Sequence, residues 1–252
     1  MTGRSSGRGR RASQAPNEYV AGMFVLPAFA AFAGAAPAAP PLDLRVEGVV
    51  ESCLVGEVDA AWVAALLAPE GLVFAGSAMV CGTDLEWSGT PFQEAVFVVA
   101  TAPVGELGAG WFLVSALNSR PFFAWVERTK NRSPYWPGRI VIDPGDHYAR
   151  ITVGGRRAGI FEATSAGGEE VVRSDEGFRG PIHLPGRAWF AAEFSGDRES
   201  WAFRTVSSTF VVAPGGTEPF AVALERSAFQ PREWSVREQA VHAKSGTQAV
   251  RP

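Results

Sequence analysis

Lysine is nearly missing from this chain. Of 23 lysines and arginines only Lys130 and Lys244 are lysines, so chemistry that needs a side-chain amine has two candidates. Cysteine is as scarce: Cys53 and Cys81 stand alone without CxxC spacing, which supports neither a metal framework nor a disulfide scaffold. They read as buried free thiols, since a bridge between them would need an oxidising compartment. Three dispersed histidines and no paired acidic motif leave a metal site without support. There is no GxSxG elbow, no HExxH, no P-loop and no GxGxxG opening a helix after a strand, so hydrolase, zinc-protease and nucleotide-binding chemistries have no anchor. A formal net charge of −3 provides no chain-wide positive field for a phosphate backbone, and nucleic acid is not expected as a partner.

What the chain does have is apolar material. Hydrophobic residues make up 46% and charged residues 19% of its 252 positions, enough for one core that folds unaided. Arg4, Arg8, Arg10 and Arg11 lie among Ser, Gly and Pro without apolar periodicity, as in a disordered arm. Val20 to Pro40 is uncharged and rich in Ala, Phe and Val, the layout of a secretory signal behind a basic cluster. Against that reading, the arm is long, Pro27 and Pro37 break the run, and Met23 offers another start. We therefore expect residues 1–41 to be an arm and an Ala/Pro-rich segment outside a single domain of residues 42–252. A cytoplasmic location is expected, with secretion as the alternative, and no stable membrane span.

Asp59 stands where it can cap a short helix carrying Trp62, Val63, Leu66 and Leu67 on one face, ended by Pro69-Glu70-Gly71. Pro121 opens a second helix with Phe122, Phe123, Trp125 and Val126. The rest reads as strands bounded by turn residues: 92–101, 111–117, 139–143, 148–153, 159–163, 188–194, 201–206, 210–212 and 220–224. Gly154-Gly155 and Gly215-Gly216 read as hairpin turns. The expected fold is β-rich α+β, with antiparallel barrel-like sheets and a few short helices.

A family resemblance lies in the order of several phrases between about residues 50 and 165. Asp59-Ala60-Ala61 followed by Leu66-Leu67-Ala68-Pro69-Glu70-Gly71-Leu72 resembles the opening helix of acetoacetate decarboxylase-like proteins, which ends in Leu-Leu-Pro-Pro-Gly-Leu. Ser88-Gly89-Thr90-Pro91-Phe92-Gln93-Glu94 is similar to the family's Gly-x-Tyr-x-Glu, whose glutamate lines the active site. Ser133-Pro134-Tyr135-Trp136 falls where the decarboxylases carry Pro-Lys-Lys. Arg128 to Ile140 resembles the YqjF-like branch of the superfamily, which reads Pro-Tyr-aromatic-x-Ala/Gly-Arg-Ile/Met. The resemblance implies a barrel with an apolar pocket, and the departure at Tyr135 and Trp136 removes the adjacent lysine pair that a Schiff-base decarboxylase needs.

Glu94 is the leading candidate, because alternation puts it on the same strand face as Phe92 and Val96, where burial would raise its pKa and suit it to acid-base work. A structural carboxylate paired with an arginine would fit the same pattern. Arg139 could grip a substrate carboxylate, or pair with Glu94, while Tyr135 and Trp136 form an apolar wall. His183 and His242 have apolar flanks and stand as catalytic assistants, whereas His147 sits in an exposed turn sequence. Lys244 could reach a barrel mouth from a C-terminal strand and joins the substrate-binding candidates. Two readings follow. One is a cofactor-independent lyase, isomerase or cyclase acting on a small organic acid, ketone or polyketide-like molecule, without a lysine-pair Schiff base. The other is a non-catalytic small-molecule binding or structural protein on the same scaffold. A homo-oligomer is compatible with either.

Overall fold

Strand alternation, far more than helix propensity, shapes this chain. A computed structural model describes residues 40–145, 148–156, 158–166, 171–175 and 177–249; the arm, nearly all of the Ala/Pro-rich segment and His147 lie outside them. In chain order the elements are β1 (Leu44–Glu57), α1 (Ala60–Leu67), β2 (Phe74–Trp87), β3 (Thr90–Thr101), β4 (Gly110–Asn118), α2 (Pro121–Lys130) and β5 (Tyr135–Pro137). Then follow β6 (Arg139–Gly145), β7 (Tyr148–Gly154), β8 (Gly159–Ala166), β9 (Val172–Ser174), β10 (Phe178–His183) and β11 (Trp189–Ser195). The chain finishes with β12 (Arg198–Ala202), β13 (Ser208–Val212), α3 (Pro219–Ser227) and β14 (Gln230–Lys244).

Seven strands run β1-β2-β3-β4-β10-β11-β14, and β14 pairs back onto β1, so the sheet closes into a barrel. Every neighbour is antiparallel except β10, which runs parallel to β4, so the barrel is mixed. Closure leaves no open edge among these seven. Beyond it, β12 and β9 extend from β14, and β5 lies parallel to β4. A separate antiparallel sheet, β13-β8-β7-β6, packs against the outside of the barrel.

Period-two alternation divides the strand side chains between two apolar layers. Outward residues Leu54, Val80, Phe97, Phe112 and Trp234 meet Ile151 and Phe161 of the second sheet together with Leu67 and Phe220 of α1 and α3. Each large side chain buried there contributes about 1.5–3 kcal/mol. Two tryptophans in this layer keep their indole N–H satisfied: Trp234 donates to Ser52 and Trp201 to Ser165, both at 2.8 Å. Inward residues Val98, Leu113, Ile182 and Ala192 form the barrel's own lining. Among the described residues no helix is long and apolar enough to cross a membrane.

The expected β-rich fold with short helices is what forms, and α1 is capped as expected, Asp59 accepting from the Ala61 and Trp62 amides at 2.8 and 3.2 Å. Three local expectations are corrected. Residues 220–224 are helical: Pro219 occupies the first turn of α3, and Phe220, Ala221, Leu224 and Ser227 fall on one buried face at helical spacing. Gly215 and Gly216 lie between β13 and α3, so they do not form a hairpin. The third concerns the thiols: Cys53 and Cys81 are not free but joined by a disulfide, at directly opposed positions of β1 and β2. Their 28-residue separation gives no hint of it, because only the pairing register brings them together. Alkylation of the denatured, unreduced protein should therefore label neither cysteine, and labelling of both would return them to free thiols.

Candidate functional site

The register of four strands builds a polar row across the barrel wall. Glu51 of β1 opposes Thr83 of β2, Thr83 opposes Glu94 of β3, and Glu94 opposes Asn118 of β4. Directly opposed residues share a face, and Glu94 shares its face with Val96 and Val98 of the inner lining, so the row points into the lumen. From the closing strand, Arg237 opposes Glu51. Register shifts between Val46 and Val49 and between Val49 and Glu51 then change the parity along β14. As a result Arg237 and His242, an odd number of residues apart, both face inward. Gly48 stands at the first shift with φ +68°, the left-handed backbone that a glycine bulge requires.

Glu94 is held from two sides. Asn118 donates through Nδ2 to Oε1 at 2.9 Å, and Tyr135 donates through Oη to Oε2 at 3.2 Å. The Asn118 carbonyl oxygen accepts the Arg120 amide at 2.7 Å, which fixes the amide orientation and anchors the start of α2. Burial raises the pKa of Glu94 above the ordinary glutamate range; Lys244 opposes this, Glu127 adds to it, and the two hydrogen bonds only partly offset it. Burial and the same two carboxylates push the Tyr135 phenol well above its usual value. Burial thus shifts both groups towards their neutral forms.

Two ion pairs complete the belt. Glu127, on the inward side of α2, accepts from Lys244 Nζ at 2.6 Å, and the same ammonium lies 5.7 Å from the centre of the Phe190 ring. Both line a cavity of about 230 Å³ together with Asp43, Leu44, Asn131 and Phe190. Deeper in, Arg237 donates to one oxygen of Glu51 at 2.5 Å and His242 Nε2 lies 2.9 Å from the other, with the imidazole 4.6 Å from Phe194. Burial alone would raise Glu51, yet the His242 hydrogen bond and charge, with Arg237, bring it down to about 2. Inward-facing Met79, Val96, Phe178, Phe190 and Phe194 are partly buried and pack against this apolar lining.

Of the residues singled out from the sequence, Glu94, Tyr135, His242 and Lys244 converge on the lumen. Trp136, Arg139 and His183 do not. Trp136 follows Tyr135 on β5 and turns the other way, under the Arg128 guanidinium at 4.7 Å, beside an outer groove of about 430 Å³ that also takes in Arg156 and Glu218. Arg139 is exposed on the second sheet and is not the partner of Glu94. His183 is fully buried on β10, one residue from inward-facing Ile182 and hence on the opposite face. Sequence pattern alone does not single out Glu51, Asn118, Glu127 or Arg237. A carboxylate in the otherwise apolar run around Glu51, two positions before Cys53, was the one signal available.

No protein-family model matches the chain, and no curated protein matches its sequence. Solved structures do. Acetoacetate decarboxylase from Legionella pneumophila superposes with a TM-score of 0.59 at 12% identity over 96% of this chain and 98% of that one. The enduracididine biosynthesis enzyme MppR complexed with pyruvate gives 0.58 at 13% over 83% and 90%. An acetoacetate decarboxylase-like enzyme from Sphingomonas wittichii gives 0.51 at 14% over 80% and 90%. At such identities the likeness is one of fold, and that fold is the acetoacetate decarboxylase-like one.

Proposed function

We propose that this chain is a cofactor-independent enzyme that performs acid-base chemistry on a small carbonyl compound in the barrel lumen, as a lyase, isomerase or cyclase working without a lysine-pair Schiff base. The observation that carries this reading is Glu94, a carboxyl whose pKa burial raises, hydrogen-bonded to Tyr135 in the barrel lining and close enough to the Lys244–Glu127 pair to feel its charge. That a small molecule can enter this scaffold is supported by MppR, which has the same fold and was solved with pyruvate. The phrase from Pro134 to Ile140 favours the YqjF-like branch of the superfamily.

In this reading the substrate carbonyl oxygen, where negative charge develops, accepts a hydrogen bond from protonated Glu94, whose carboxyl is oriented by the bonds it accepts from Tyr135 and Asn118. Glu127 takes the proton from the adjacent carbon. The C–H electron pair becomes the C=C bond of an enol as Glu94 passes its proton to oxygen. Return of a proton to the same or another carbon gives exchange or isomerisation. Exchange of the methyl protons of acetophenone in heavy water tests the proposal: the rate should exceed that of buffer, and a rate equal to buffer for acetophenone and ethyl acetoacetate alike would sink it.

Covalent imine formation is not expected. The Lys244 ammonium is engaged by Glu127 at 2.6 Å, and the only other lysine, Lys130, is exposed at the far end of α2. Borohydride reduction in the presence of a β-keto acid should leave the Lys244 peptide at its native mass. A reduced adduct there would restore a Schiff-base mechanism.

A further inference from the structure

The charges of the lumen are closed into pairs. Lys244 binds Glu127 at 2.6 Å, and Arg237 binds Glu51 at 2.5 Å with His242 on the second Glu51 oxygen at 2.9 Å. Two cations thus meet two carboxylates, all four on one belt. Around them stand Met79, Val96, Phe190 and Phe194, whose side chains offer no hydrogen-bond donor, and Asp43 adds a further carboxylate beside Lys244 at the mouth. Besides the Thr83 hydroxyl, the groups left to face a ligand are the Glu94 carboxyl and the Tyr135 hydroxyl, joined at 3.2 Å.

From this arrangement we infer that the lumen selects uncharged carbonyl compounds, ketones and esters, over carboxylates of the same shape. The inference rests on the function proposed above and narrows its substrate class. A carboxylate moving from water into this lumen loses its hydration and must be paired to be stable there. Both lumen cations among the described residues already have a carboxylate partner, so an anionic ligand would have to displace Glu127 or Glu51, or remain uncompensated. A neutral carbonyl loses far less hydration and needs only one donor, which protonated Glu94 supplies. The apolar wall then favours the remaining hydrocarbon.

Acetophenone and phenylglyoxylate form a matched pair, sharing the phenyl ketone and differing in methyl against carboxylate. Titration calorimetry on the full-length protein at neutral pH should show acetophenone binding roughly ten-fold or more tightly than phenylglyoxylate. E127Q leaves a side chain of the same size but releases Lys244, so phenylglyoxylate should gain about ten-fold, and adding K244M should abolish that gain. Phenylglyoxylate binding to the wild-type protein as tightly as acetophenone would overturn the inference while leaving the enzyme reading standing. So would a folded E127Q that shows no gain. Should E127Q fail to fold, the wild-type comparison decides alone. If neither compound binds and acetophenone exchanges no deuterium, the proposed function falls, and this inference with it.

Discussion

Replacing Glu94 with glutamine should lower the rate of acetophenone proton exchange by about 10²–10⁴-fold while leaving the fold intact. A glutamine can still accept from Asn118 and face Tyr135, so the hydrogen-bond frame of 2.9 and 3.2 Å contacts need not collapse. What it cannot do is release a proton to a developing oxyanion. Y135F should cost less, since it removes one hydrogen bond that orients Glu94 and leaves the acid. A fall of less than about three-fold in folded E94Q would remove Glu94 from the chemistry. The pH dependence gives a second reading of the same residue. Because the folded-state pKa of Glu94 is raised, the folded protein holds a proton that the unfolded chain has already released in the interval between the two values. Its stabilising contribution is therefore complete below the ordinary glutamate range and is lost as pH rises through the raised value. The acid-catalysed rate should decline over the same interval. Urea unfolding across pH should show this slope in the wild-type protein and not in E94Q.

Legibility in the sequence followed the range of the interaction involved. Glu94 and the cap at Asp59 could be read because each depends on neighbours within a few residues: alternation with Phe92 and Val96, and the free amides of Ala61 and Trp62. Tyr135 and Lys244 were candidates, yet the partner of Lys244 on α2 is 117 residues away and leaves no local trace. β14 is the longest strand and closes the barrel, but charged and apolar residues alternate imperfectly along it. Its register shifts against β1 break the period that a strand reading looks for. The same shifts hid the shared orientation of Arg237 and His242. Residues 220–224 read as a strand because a short run with Phe, Val and Leu satisfies strand and helix patterns alike, and only burial of the Phe220–Leu224 face decides between them. Arg139 drew attention beside Tyr135, whereas the intervening Gly138 carries the chain out to the second sheet.

The largest loss of stability should follow from breaking the Glu51–Arg237 pair. Both side chains are nearly sealed, 8% and 12% exposed, and they stand opposite each other on the two strands whose pairing closes the barrel. R237M removes the guanidinium and leaves the Glu51 carboxylate with only His242 inside the wall. Removing one partner of a buried pair costs up to about 3–5 kcal/mol, with His242 still offsetting part of the Glu51 charge, against at most about 1 kcal/mol for an exposed pair such as Arg45–Glu47. Replacing both partners with apolar residues of similar volume, E51L with R237M, should recover most of that loss, because the double variant buries no charge. Acid sensitivity should change in parallel. With its folded-state pKa lowered to about 2, Glu51 contributes stability that is fully present above the ordinary glutamate range and lost as pH falls towards that value. Without Arg237 one source of that lowering is gone, so the acid limb of the stability curve should move to higher pH in R237M and flatten in the double variant. Denaturant titrations of the three proteins between acid and neutral pH measure both effects. An R237M protein within about 1 kcal/mol of wild type at neutral pH would show that the pair does not hold the barrel closed.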